Sequence, residues 1–357
     1  MNHSMIHSTS LRDRPLTQLV LARLREFYRE PEAVFWVYGF PILMIVALGI
    51  AFRNKPIERI TVDVESGSRA AAIVDALSKQ EKFVVATFDS AECRVRLRTG
   101  KTDLVVSVGD SSTPHYDYAF DPTRTESVLA RNAVDDALQR SAGRQDAATA
   151  ADHVFDEPGG RYIDFLVPGL LGMSLMGGGM WGVGFAIVDM RIRKLLKRFL
   201  ATPMKKTDFL AGMIISRMVF MVPEVLALVG FARVVFGVRI YGSLWAVLAL
   251  VLLGAVAFAG IGLLIASRAK TIEAVSGLMN LVMLPMWMLS GVFFSSDRFP
   301  EVVRPAIKAL PLTLLNDALR AVMQEGATLS SQGFEVAGLA AWGTVTFALA
   351  LRWFKWN

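Results

Sequence analysis

The chain has little of what most enzymes use. Among 357 residues there is one cysteine, Cys93, and there are four histidines. One cysteine rules out internal disulfides and cysteine-rich zinc sites, and says nothing of the redox compartment. His115 and His153 stand apart from any Cys or carboxylate cluster at metal-ligand spacing, and no Ser/His/Asp or Cys/His set can be assembled. Gly100-Lys101-Thr102 imitates the end of a phosphate-binding loop, but that loop needs a glycine five positions before Gly100, where Val95 stands. The expectation is a chain that is no enzyme and holds no cofactor or metal of its own.

Charge is scarce as well. Asp, Glu, Lys and Arg make up 20% of the chain against 53% hydrophobic residues, and the mean hydropathy is +0.43. These values point away from an ordinary soluble domain and toward a membrane. The net charge of +6 is unevenly spread: residues 53 to 160 carry 14 Lys and Arg against 18 Asp and Glu, a net of −4, which leaves +10 for the remainder. The main basic clusters lie at the ends of long apolar runs, not beside a polar or aromatic surface, so nucleic acid is a poor partner.

Residues 33 to 52, AVFWVYGFPILMIVALGIAF, contain no charge. At about 1.5 Å per residue such a run covers the roughly 30 Å of hydrocarbon in a bilayer. A polar stretch precedes it, so a retained anchor is expected here and not a cleaved leader. Further apolar runs at 164 to 189, 209 to 232, 243 to 266, 273 to 294 and 333 to 353 bring the expected spans to six. Basic residues alternate between the connections: Arg12, Arg14, Arg23, Arg25 and Arg29; then Arg191, Arg193, Lys194, Lys197, Arg198, Lys205 and Lys206; then Arg268 with Lys270, and Arg352 with Lys355. The positive-inside rule makes these segments cytoplasmic, with both termini inside and 53 to 160 outside, against the dissent of Arg233 and Arg239. Within the N-terminal segment, 1 to 32, Leu16, Leu19, Val20, Leu24 and Phe27 recur at helical spacing. That pattern predicts an amphipathic helix lying on lipid, or one packed on a partner protein.

The polar insert reads as strands and helices in alternation over 57 to 140, a small α/β domain in an otherwise α-helical integral membrane protein. Ser66 or Ser68 is placed to cap its first helix, and Asp121-Pro122-Thr123 marks a turn before its last. Residues 141 to 160 have no apolar period and read as a connection back to the membrane.

Inside the spans, Ser174, Gly178, Gly182 and Ala186 fall four apart and place small side chains on one helix face. Close approach of another helix is expected there, from this chain or from a second subunit. Glu224 follows Pro223, and Arg217 lies seven residues earlier on nearly the same face. Charges at that depth are costly and should face protein or water, so Glu224 lines a transport path, meets a polar partner, or sits near the outer interface. Asn280 gives a weaker signal of the same kind. The loop from 190 to 208, MRIRKLLKRFLATPMKKTD, sets Leu195, Leu196, Phe199 and Leu200 among basic residues, which suggests docking on lipid or in a protein cleft.

Leu196 to Gly212 (LKRFLATPMKKTDFLAG), Leu289 to Phe294 (LSGVFF), Phe299-Pro300, Leu310-Pro311-Leu312-Thr313 and Asp317-Ala318-Leu319-Arg320 follow one another in an order that resembles the permease subunit of the second type of bacterial ATP-binding-cassette (ABC) transporter. The insert is similar to that of the subgroup with a large external domain, in Gly100 before a strand and Asp121-Pro122 before a helix. Ser295 stands where a proline often follows the Phe-Phe pair, and Met213 where a lysine is frequent. The resemblance implies a multi-pass protein of the bacterial inner membrane that exports an amphiphilic substrate, drug-like or lipid. It implies that Arg191, Arg193, Lys194, Leu195, Leu196, Lys197, Arg198 and Phe199 belong to a coupling helix seated in a separate ATPase subunit, which holds ATP and Mg. It further implies that 295 to 330 re-enters the outer leaflet, and that two permeases, identical or homologous, join two ATPases. On that basis, aspartate at Leu195, Leu196 and Phe199 is expected to uncouple transport in a chain that still inserts. The alternative is a membrane-anchored sensor or assembly scaffold with a ligand-binding external domain.

Overall fold

The computed structural model describes residues 15–52, 59–108, 115–146, 148, 159–200 and 206–353. Arg12, Arg14, His153, the Thr202-Pro203 break, Lys205 and Lys355 lie outside the described residues, as do the side chains of Leu16, Leu19, Val20, Arg23, Phe199, Leu200 and Lys206. In chain order the elements are α1 (Pro15–Tyr28), α2 (Phe35–Ala51), β1 (Ile60–Glu65), α3 (Ala70–Ser78), β2 (Phe83–Phe88), α4 (Ser90–Arg98), β3 (Leu104–Val108), β4 (Tyr116–Ala119), α5 (Thr125–Ser141), α6 (Tyr162–Ile192), α7 (Leu195–Leu200), α8 (Lys206–Phe236), α9 (Leu244–Ala266), α10 (Ile272–Leu289), α11 (Arg304–Lys308), α12 (Pro311–Glu325) and α13 (Gly333–Trp353). They form two compact units, one of residues Asn54–Phe155 and one of Met1–Arg53 with Asp156–Asn357.

The smaller unit is a four-stranded sheet in the order β2-β1-β3-β4, parallel except for β4. Alternation along β1 puts Val62 and Val64 on the face covered by α3 and α5, where Ile73, Leu77, Val134 and Leu138 complete the core. Asp63, between those valines, is fully buried on the other face, and Arg96 of α4 donates to it at 2.7 Å. The same guanidinium lies 4.2 Å from the centre of the Phe88 ring. Neither Ser66 nor Ser68 caps α3. That helix starts from Arg69 without a side-chain cap, and Ser66 Oγ instead donates to Phe88 O at 2.8 Å, joining the ends of β1 and β2. Gly100 has φ +71° and ends α4, with Lys101 N donating to Arg96 O at 2.9 Å, so Gly-Lys-Thr is a helix stop. Asp121 accepts from Thr123 Oγ1 at 2.7 Å and Thr123 N at 2.9 Å, bonds that hold its carboxyl below the ordinary range and fix the turn into α5.

Cys93 on α4 is buried, and burial, with Asp63 and Glu65 nearby, pushes its thiol up from the ordinary value. We expect the native chain to resist a maleimide at neutral pH and to react fully once denatured. Rapid native labelling, read by intact mass, would contradict the burial.

Among the described residues of the larger unit five helices are long and apolar enough to cross a membrane: α6, Gly212–Phe236 within α8, α9, α10, and Leu329–Trp353, which contains α13. The remaining apolar helix, α2, is shorter, though a helical turn at Pro31–Val34 leads into it. The apolar run expected to end at 294 stops being helical at Leu289. Gly291 there takes φ +70°, and side chains of α12 bind the carbonyls of Ser290 and Gly291. Helix α9 is central, packed on α6, α12 and α13. A Cβ at Gly179 would stand 2.6 Å from Phe258 Cβ, and one at Gly262 would stand 2.8 Å from Met180 Cα, so glycines set the spacing of α6 and α9. Within α6, Met180–Phe185 is a π-helical stretch. Helix α1 packs on α8 of the same chain, with the Phe27 and Phe220 rings 4.5 Å apart, so part of its apolar side meets neither lipid nor a partner protein.

Candidate functional site

Two turns of α8 separate Arg217 from Glu224, with Pro223 between them. Arg217 Nη2 donates to Glu224 Oε2 at 2.8 Å, and the two side chains are 7% and 2% exposed. Ser174 Oγ of α6 donates to the other carboxylate oxygen. The guanidinium occupies the space where any side chain at 178 would begin, and the Arg217 Cδ lies 3.6 Å from a Cβ built at Gly182. What meets this face of α6 within the chain is the Arg217 side chain of α8, while a closer backbone approach, that of α9, lies a step around, at Gly179 and Gly262. Tyr38 OH of α2 donates to Phe220 O at 3.3 Å, within the α8 segment that the ion pair spans. Ser174, Gly178, Gly182, Arg217 and Glu224 thus come together, whereas Asn280 is exposed on α10 and takes no part.

The basic segment divides in two. Arg191 Nη1 donates to Ala266 O at 2.9 Å and also to Ala269 O, and Nη2 donates to Ser267 O at 3.3 Å. Arg191 therefore caps the C-terminal end of α9, where carbonyls lack helical partners and negative potential gathers. Leu196 is buried in the chain's own core, and Leu195 packs against it. Arg193, Lys194, Lys197 and Arg198 are exposed. Lys194 has φ +60°, a left-handed turn that breaks α6 from α7 at a cost of about 1 kcal/mol for a side chain other than glycine.

A third group escapes a reading of the sequence alone. Asn316, Arg320 and Gln324 fall four apart along α12: Asn316 Nδ2 donates to Ser290 O at 2.9 Å, Arg320 to Gly291 O, and Gln324 Nε2 to Asp164 O. The Arg320 guanidinium lies 3.8 Å from the Phe165 ring centre, and Tyr162 OH donates to Phe293 O at 3.0 Å. A polar row at i, i+4 and i+8 along one side of an amphipathic helix is the signal that marks it. Among the described residues no three His, Cys, Asp or Glu stand together to hold a metal.

Residues 32–352 match the model of a family described as ABC-2 family transporter proteins. The chain belongs to that family. The inner membrane transport permease YhhJ of Escherichia coli K12 is 28% identical over 178 residues, which are 48% of this chain and 46% of that protein. The linearmycin resistance permease protein LnrN of Bacillus subtilis 168 is 26% identical over 173 residues, 48% of this chain and 45% of its own length. The match thus spans about half the length of these curated relatives. Membership and the long apolar helices of the larger unit together indicate a multi-pass membrane protein of the ABC-2 transporter family.

Proposed function

We propose that this chain is the membrane subunit of an ABC exporter, coupled to a separate ATPase and moving an amphiphilic molecule, drug-like or lipid, outward across a bacterial inner membrane. The observation that carries the reading is the exposed basic face of Arg193, Lys194, Lys197 and Arg198 at the α6–α7 turn, in a chain that matches an ABC-2 model over 32–352. The left-handed turn at Lys194 separates α7 from α6 and leaves Lys194, Lys197 and Arg198 exposed, while Arg193 pairs back with Asp189 of α6 at 2.9 Å; such strain often accompanies function. The ATPase subunit would hold ATP and Mg, which agrees with the incomplete phosphate loop at Gly100. The alternation of charge favours both termini inside, α2 as a sixth span and residues 54–155 outside. A relative named for linearmycin resistance fits the export direction. Two permeases, identical or homologous, would complete the path.

Purification from native membranes in mild detergent tests the partner. The chain should bring an ATPase subunit with it, two copies per two permeases. Its recovery alone, even after crosslinking in cells, would sink the reading and favour a sensor or scaffold.

A further inference from the structure

Proline has no N–H, so Pro223 leaves the carbonyl of Val219 without its helical donor and weakens one turn in the middle of α8. The ion pair sits across that turn, Arg217 on one side and Glu224 on the other, closed at 2.8 Å. It is seated from outside by α6, where Ser174 binds the carboxylate and Gly178 makes room for the guanidinium. Tyr38 adds a hydrogen bond to Phe220 O in the same segment. Replacing a buried ion pair by apolar side chains is often neutral or favourable for stability. An ion pair at this position therefore calls for a reason other than stability.

We infer that Arg217 and Glu224 are positioning residues, forming a strut that keeps the two halves of α8 acting as one rod across the weak turn at Pro223. Helix α8 follows the α7 segment after five intervening residues, so a displacement at its start reaches its far half only if that turn does not yield. The consequence for transport rests on the coupling proposed above; the mechanical claim does not.

The distinctive consequence is that the strut becomes dispensable once the proline is gone. Hydrogen–deuterium exchange of the full chain would compare wild type, R217M/E224M, and R217M/E224M/P223A, in which the missing backbone donor is restored. Peptides covering 217 to 227 should exchange about tenfold faster in the double variant and return close to wild type in the triple. Wild-type exchange in the double variant, or a triple as fast as the double, would overturn the strut. Adding ATP and vanadate to the ATPase complex should alter exchange at 228–236 in wild type and triple but not in the double. An equal response in all three would overturn transmission through the strut. A preparation without an ATPase would sink the coupling reading and leave the first comparison intact.

Discussion

With Lys194, Lys197 and Arg198 changed together to glutamate, the chain is expected to insert and fold as before but, on the coupling proposed above, to lose the ATPase subunit, with affinity falling by about a hundredfold because three cations of the docking face become anions. All three side chains are exposed and none contributes to the core, so the fold has no reason to respond. The measurement is the ATPase recovered per permease, beside a thermal melt that should stay within a degree or two of wild type. Full recovery of the ATPase would place the docking surface elsewhere. The apolar substitutions suggested by the sequence are a poorer test. Leu196 is buried among the chain's own residues, so aspartate there would damage the fold before it touched any partner.

Arg217→Met alone should be among the most damaging single changes, about 3–5 kcal/mol, because Glu224 would remain as a buried carboxylate without its cation. A collapse of folded yield, read by size-exclusion of detergent-solubilised protein, is the expected outcome. Glu224→Gln should cost less, since the amide oxygen still accepts from Arg217 while the amide NH2, in the place of the other carboxylate oxygen, can donate to Ser174 Oγ. A side chain larger than hydrogen at Gly178 should resemble Arg217→Met, as it would occupy the guanidinium's place. If Arg217→Met melts like wild type, the pair is not the buried, closed contact described here.

How much of this was legible varies with how local the cause is. The strands and helices of the smaller unit follow from alternation and length, and α5 begins and ends where TESVLARNAVDDALQRS does. The seven-residue spacing of Arg217 and Glu224 announces a shared face, and the small residues from Ser174 mark a surface on α6. That these two signals are halves of one contact is not legible, because it depends on which helix lies beside which. Arg191 shows the same limit: a basic residue at a helix end reads as a cytoplasmic marker, and only packing reveals three carbonyls of another segment around it. The overrun of the fifth span to 294 has a plain cause. Hydropathy does not register a left-handed glycine, and the bonds from Asn316 and Arg320 that hold the turn come from far along the chain.

The π-helical stretch at Met180–Phe185 sets the angular phase of everything beyond it. A π turn takes in an extra residue, so side chains after it stand about 100° around the axis from where an unbroken α-helix would carry them. The four-residue rule that unites Ser174 with Gly178 therefore loses its meaning by Ala186. The same offset aims Arg191 at the end of α9: in an unbroken helix it would face elsewhere, and the carbonyls of Ala266, Ser267 and Ala269 would lack the cation that now gathers them.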